Sequence, residues 1–256
     1  MSTNAVFNEY LTSIEGRECY MAGLPSYPRN FSRDTFLAGI LAADSRLLEN
    51  QLTMSRLHQG TDNTPSNGEE YGKIHHEYPG VVFRKPYTTT YDACDTTPLY
   101  LIALEALWHN HKSSAQEFIQ QHRSSIDAAL DYLQNHITED VFWEYPPPPV
   151  EHFSLRMTYW KDSIVPNATH GEEPVYPIAF ALVQFQVAGS GLMAALMVRV
   201  KSGRLPEKGA SFWLRGWRMA VSEKKPDVPP GREMARPVRL PPAAMLEKAP
   251  KLVKEK

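Results

Sequence analysis

Five separated segments hold most of this chain's chemistry-bearing residues: Gly23–Phe36 (GLPSYPRNFSRDTF), Gly68–Gly80 (GEEYGKIHHEYPG), Thr89–Leu101 (TTYDACDTTPLYL), Met157–Ser163 (MTYWKDS) and Gly171–Gln186 (GEEPVYPIAFALVQFQ). Each mixes aromatic rings with polar or charged side chains, chiefly carboxylates, histidine and basic residues. That mixture suits a sugar, because aromatic faces pack on the C–H surface of a pyranose while carboxylates and arginine hold its hydroxyls. Within these segments Asp162 stands near Trp160, and packing on an indole would desolvate its carboxyl and raise its pKa, although Lys161 would oppose the shift if it pointed inward. A bland reading makes Asp162 a turn cap before Pro166.

Two more residues have competing roles. Asp34 either binds a ligand or serves as the acid that the first turn of a helix favours. Asp95 either caps the helix that follows it or faces a ligand together with Tyr91. His75, His76 and Glu77 are adjacent, so they point in different directions, and no spaced partner completes a metal site. The DACDTT string superficially resembles the acid cluster of terpene cyclases, but its neighbours Cys94 and Thr96 do not pack acids closely. Cys94 reads as a small buried apolar residue rather than a nucleophile, because no Cys–His–Asn arrangement accompanies it.

Helices must position these segments. Ser32 is placed to cap a helix reaching about Asn50, with Phe36, Ile40 and Leu41 at helical spacing, and a second helix could continue through Gln51–His58. Residues 59–94 form a long polar stretch, and loops of that length are often functional. Thr96 or Thr97 caps the next helix, with Pro98 in its first turn. Ser113 to about Asn135 reads as one helix, Phe142–Tyr145 as a short strand, and Pro177–Val187 as a buried helix. With almost no strand signal, the expected fold class is all-α.

In this order and approximate spacing the five segments resemble bacterial amylo-α-1,6-glucosidase and glycogen-debranching-type glycoside hydrolases, over roughly residues 18–187. The resemblance implies an (α/α)6 barrel with its active site at the mouth, present here as an incomplete barrel of roughly the first half. It implies inverting hydrolysis of α-linked glucose, in which one carboxylic acid protonates the leaving oxygen and a carboxylate across the ring activates water. On that basis Asp162 is the general acid, and Arg33, Asp34, His76, Glu77, Tyr91, Asp95, Trp160 and Lys161 bind the substrate, an oligosaccharide or glycogen-like α-glucan. No cofactor and no metal are implied. The general base of such proteins lies well downstream. Glu207, Glu223, Glu233, Glu247 and Glu255 have no matching context, and Glu172 and Glu173 belong to the acid's own loop, so no base is assigned.

Composition bounds these readings. The 256 residues are 42% hydrophobic and 22% charged with net charge −2, ordinary for a soluble globular protein and without a signal for nucleic acid or membrane. No apolar run approaches the length of a membrane helix, and the first residues lack a signal-peptide pattern. With Cys19 and Cys94 the only cysteines, a reduced, cytoplasmic setting is expected. The average conceals a shift of vocabulary. Residues 188–256 carry 15 Lys+Arg and 6 Asp+Glu, and they lack His, Tyr, Ile, Asn, Thr and Cys. The front is therefore about −11 and the tail about +9. Two regions follow: 1–187, a partial catalytic domain, and 188–256, a basic, Pro-rich tail that is either native and disordered or the product of a frameshift or fusion. Half a barrel would expose an apolar wall, so marginal stability and self-association are expected. Two rival functions stand beside hydrolysis: carbohydrate binding without turnover, and an interaction protein acting through its basic tail.

Overall fold

A computed structural model describes residues 10–22, 24–79, 88–145, 158 and 177–202, with side chains as far as residue 191. The chain opens with strands β1 (Leu11–Ile14), β2 (Arg17–Ala22) and β3 (Arg29–Phe31), followed by helices α1 (Ser32–Ala42) and α2 (Ser45–Leu57). A 3-10 turn at Pro65–Asn67 and strand β4 (Glu77–Tyr78) lie in the long connection to α3 (Thr96–Asn110). Helices α4 (Lys112–Gln121) and α5 (Arg123–Asn135), strands β5 (Ile137–Thr138) and β6 (Val141–Phe142), and helix α6 (Ala181–Ser202) complete the order.

The all-α expectation, and with it the incomplete (α/α)6 barrel, is corrected by these elements. The described residues form six helices together with a four-stranded antiparallel sheet, β1-β2-β3-β4, and a two-stranded ribbon, β5-β6. Both hairpins close through two residues with positive φ, Glu15–Gly16 and Glu139–Asp140, the pattern that matches the right-handed twist of a strand pair. The Glu15–Gly16 pair was the legible signal. The strands it joins are short and only partly buried, so their alternation is weak.

Helix α3 forms the centre of the core and packs against α1, α2, α4, α5 and α6. Being surrounded, it is apolar on most sides: Leu99, Leu101, Leu104 and Leu107 are all buried, as is Tyr100. Each such leucine contributes about 1.5–3 kcal/mol by leaving water.

Helix boundaries differ from the sequence expectation where side chains found other partners. Ser32 does not cap α1; Phe31 occupies that position, and the Ser32 hydroxyl and amide donate to the carbonyls of His75 and His76. The break between α1 and α2 comes at Ala43, which is left-handed, and Asp44 caps α2 by accepting the Leu47 amide at 3.0 Å. The expected single helix 113–135 is two, divided at His122. Helix α6 continues past Val187 to Ser202.

Candidate functional site

The connection from α2 to α3 is where the polar groups gather. Its middle is fastened to the start of α3. Thr96 donates to the Ile74 carbonyl at 2.8 Å, and the Ile74 amide donates to Thr97 at 3.0 Å. Thus the threonines expected to cap α3 pin the loop against it instead. Gly72 fits at φ +83° directly against α5, where an added Cβ would lie 2.1 Å from the Ala128 carbonyl oxygen. No side chain could occupy that position without moving the helix.

Behind this loop lies a closed polar layer. Asn30 donates to Gln51 at 2.8 Å and to Thr35 at 3.0 Å, Gln51 donates to Ser55 at 3.1 Å, and His75 meets Asn30 at 3.2 Å. Burial pushes His75 down to about 3, so it is neutral and serves this network. Cys19 and Cys94 are both buried, and burial pushes both thiols up, which leaves them inert.

The residues singled out in the sequence separate into pairs. Arg33 and Asp95 meet in a buried bidentate ion pair, Nε to Oδ2 at 2.7 Å and Nη2 to Oδ1 at 2.9 Å. Asp95 therefore stands at the start of α3 without capping it; its carboxylate faces the guanidinium. Glu77 pairs with Arg29 at 2.9 Å, and buried His76 packs edge-on against Phe31. Tyr91 donates its hydroxyl to the His58 carbonyl at 2.9 Å, and burial raises its pKa. Asp34 is exposed in the first turn of α1. Asp162, Trp160 and Lys161 lie outside the described residues.

A different set of side chains lines a cavity of about 430 Å³, within the roughly 300–1,000 Å³ typical of small-molecule sites. One wall comes from the loop, with Gly68, Glu69, Glu70 and Lys73. Asp92, Glu144, Tyr145 and Thr158, with Asn63 and Pro65, complete the lining. Gly68, at φ +74°, lets the backbone approach Asp92, whose Oδ1 would sit 2.9 Å from an added Cβ.

The electrostatics of the lining are uneven. Lys73 contacts Glu70 at 2.9 Å, and His136 at the end of α5 contacts the other Glu70 oxygen at 3.0 Å. Burial alone would raise the Glu70 carboxyl, but the His136 hydrogen bond and the Lys73 ammonium carry it down to about 2. Burial would lower Lys73, yet Glu144 and Glu70 hold it above the ordinary lysine value. Its ammonium also lies 5.6 Å from the centre of the Tyr132 ring. Glu144 is buried, and burial lifts its carboxyl; Lys73 opposes the shift and Glu70 adds to it. Its backbone is fixed by a reciprocal pair of hydrogen bonds with Ile178, each 2.9 Å.

No family model matches this chain, and no curated protein matches it. Sequence reasoning reached the segments that line the cavity but passed over Glu69, Glu70, Lys73, Asp92 and Glu144. GEEYGK and TYDACD were visible as motifs; Glu144, in a short strand-like run, carried no signal of its own. Among the described residues no three His, Cys, Asp or Glu side chains come together to hold a metal, and no helix is long and apolar enough to cross a membrane.

Proposed function

We propose that this chain has the chemistry of an α-glucosidase-type glycoside hydrolase, of the amylo-α-1,6-glucosidase kind, and that its ligand is α-linked glucose in an oligosaccharide or glycogen-like glucan. One observation carries the reading. Three of the five segments on which the resemblance rests converge on one cavity: Gly68, Glu69, Glu70 and Lys73 from the second, Asp92 from the third, and Thr158 from the fourth. Asp92 and Thr158 are 66 residues apart and have no local reason to share a wall, and a hydroxyl-rich ligand needs the donors and acceptors these segments bring.

In this reading Asp162, four residues beyond Thr158, protonates the leaving oxygen of an inverting reaction. Arg33 and Asp95 hold the start of α3 beside Asp92, while Glu77 and His76 brace the loop from behind. The reading assigns no general base, and turnover is expected to be weak or absent. A second reading, binding without turnover, draws on Glu70: a carboxylate already engaged by both His136 and Lys73 is a poor base. The same proposal includes self-association through apolar side chains exposed on α1 and α6, notably Leu41 and Phe185.

Glucose release from isomaltose, maltose and a branched limit dextrin, with wild type and Asp162→Asn in parallel, tests the reading. Release lost on substitution supports hydrolysis with Asp162 as the acid. No release from wild type, together with saccharide binding, supports the second reading. Neither release nor binding sinks both.

A further inference from the structure

The cavity holds more negative groups than its one lysine can balance. Glu70, Asp92 and Glu144 all act on Lys73, and Lys73 makes its contact with Glu70. Glu144 is 5% exposed, and among the described residues no lysine, arginine or histidine comes within ion-pair distance of it. Its hydrogen bond is from Thr158, a neutral partner that is itself buried. Among the described residues, the groups that act on Glu144 come from three segments. Glu70 and Lys73 belong to the loop, Tyr132 to α5 and His136 to the position just after it, and Cys94 to the approach to α3.

Lys73 acts on Glu144 from beyond ion-pair distance, and holding a carboxylate out of water without a cation in contact costs several kcal/mol, so a group so placed takes up a proton instead. Glu70 is not the one to do so, because it has both the lysine and the histidine. Asp92 and Glu144 are the buried carboxyls of the cavity wall, and Glu144 is the deeper of the two, 5% exposed against 8%.

We propose that Glu144 stands in the cavity as a neutral carboxylic acid and donates its proton in a hydrogen bond to a hydroxyl oxygen of a bound polyhydroxyl ligand, with Glu70 and Lys73 as the fixed ion pair beside it. This rests on the glucoside reading for the identity of the ligand. It gives the residue a binding role that the sequence did not suggest, and it selects a neutral ligand. An ionised Glu144 would instead leave the cavity with a surplus of negative charge and favour a protonated amine.

The sign of the pH dependence follows from which form binds. A ligand that requires protonated Glu144 binds best below the Glu144 titration, and its affinity falls by up to about tenfold per pH unit above it. Glutamine has the same shape and donates at every pH.

Two measurements on the full chain test this, with circular dichroism confirming that each variant is folded. Calorimetric titration of maltose from about pH 5 to about pH 8 is expected to show falling affinity for wild type and a flat profile for Glu144→Gln. A pH slope unchanged by the substitution would overturn the inference. The second measurement needs no saccharide: infrared titration of the carboxylic-acid carbonyl stretch. A band present in wild type, absent in Glu144→Gln and titrating above the ordinary glutamate range is expected. A difference band at or below that range would show an ionised Glu144 and overturn the inference, as would tighter binding of glucosamine than of glucose. If the band behaves as expected while no saccharide binds at any pH, the protonated carboxyl stands and the glucoside reading falls.

Discussion

Two charge clusters each include an aspartate just before α3, Asp95 in one and Asp92 in the other, and they differ in balance. Around Arg33 and Asp95 one cation meets one anion through two parallel hydrogen bonds, both partners almost wholly buried. Around Lys73, among the described residues, Glu70, Asp92 and Glu144 all act on one ammonium, His136 adds a second contact to Glu70, and the lysine and the three carboxyls line a cavity. The balanced pair satisfies its members internally and leaves a ligand little to add. The unbalanced cluster retains donors and acceptors that a ligand can complete. Burial of charge alone does not distinguish a structural brace from a site; stoichiometry and open volume do.

The largest effect should come from breaking the balanced pair. Arg33→Ala leaves Asp95 buried without its guanidinium, and a loss of about 3–5 kcal/mol is expected in denaturant unfolding. The double variant Arg33→Met with Asp95→Leu should recover most of it, since an apolar pair needs no compensation. If the double variant is no more stable than Arg33→Ala, the pair is not the closed unit described here.

Lys73→Met comes next, at about 3 kcal/mol near neutral pH, because Glu70 and Asp92 lose the cation they share. Here the comparison predicts a contrast. The cost should shrink as pH falls and those carboxylates take up protons, whereas Asp95 without Arg33 has only itself to protonate. Melts of both variants across the acid range would test this, and parallel curves would count against the surplus of carboxylates near Lys73.

A smaller effect is expected from Glu70 and His136. The Glu70 pKa is depressed to about 2 from an ordinary 4.5, so its contribution is complete above 4.5 and is lost as pH falls towards 2. His136 is raised above its ordinary 6.5, so its contribution is complete below 6.5 and is lost as pH rises through the folded value. The pair therefore stabilises most between 4.5 and 6.5. Because Glu70 is more than a third exposed, Glu70→Gln should cost only about 1 kcal/mol in that window. The test is whether the substitution flattens the stability–pH curve there.

Smallest of all should be Glu77→Gln. Arg29 and Glu77 meet at 2.9 Å near the sheet edge, and glutamine keeps a hydrogen-bonding oxygen there, so about 0.5 kcal/mol is expected in thermal unfolding. A loss as large as that of Arg33→Ala would place Glu77 in the same class as Asp95 and blur the distinction.

Much of this arrangement was written in the chain. The periodic apolar residues of α3 and α5 announce helices wherever they pack, and Phe36, Leu99 and Ile126 fall in the core as their spacing required. Segments rich in acids and aromatics marked the loop and the start of α3, because buried polar groups must be deliberate where apolar ones would be cheaper. The sheet was nearly silent. Strands of two to six residues with mostly intermediate burial show little alternation, and only Glu15–Gly16 signalled a turn.

What the tertiary structure alone decided is who pairs with whom. Arg33 and Asp95 are 62 residues apart, and either could have faced a ligand until the fold set them against each other. Lys73, Glu70 and Glu144 became a site only when β6 and α5 were brought to the loop, since a carboxyl's charge state depends on the burial and neighbours that contacts distant in sequence impose. Local sequence fixes what a residue is able to do; the packing around it decides whether that capacity is spent inside the protein or left for a ligand.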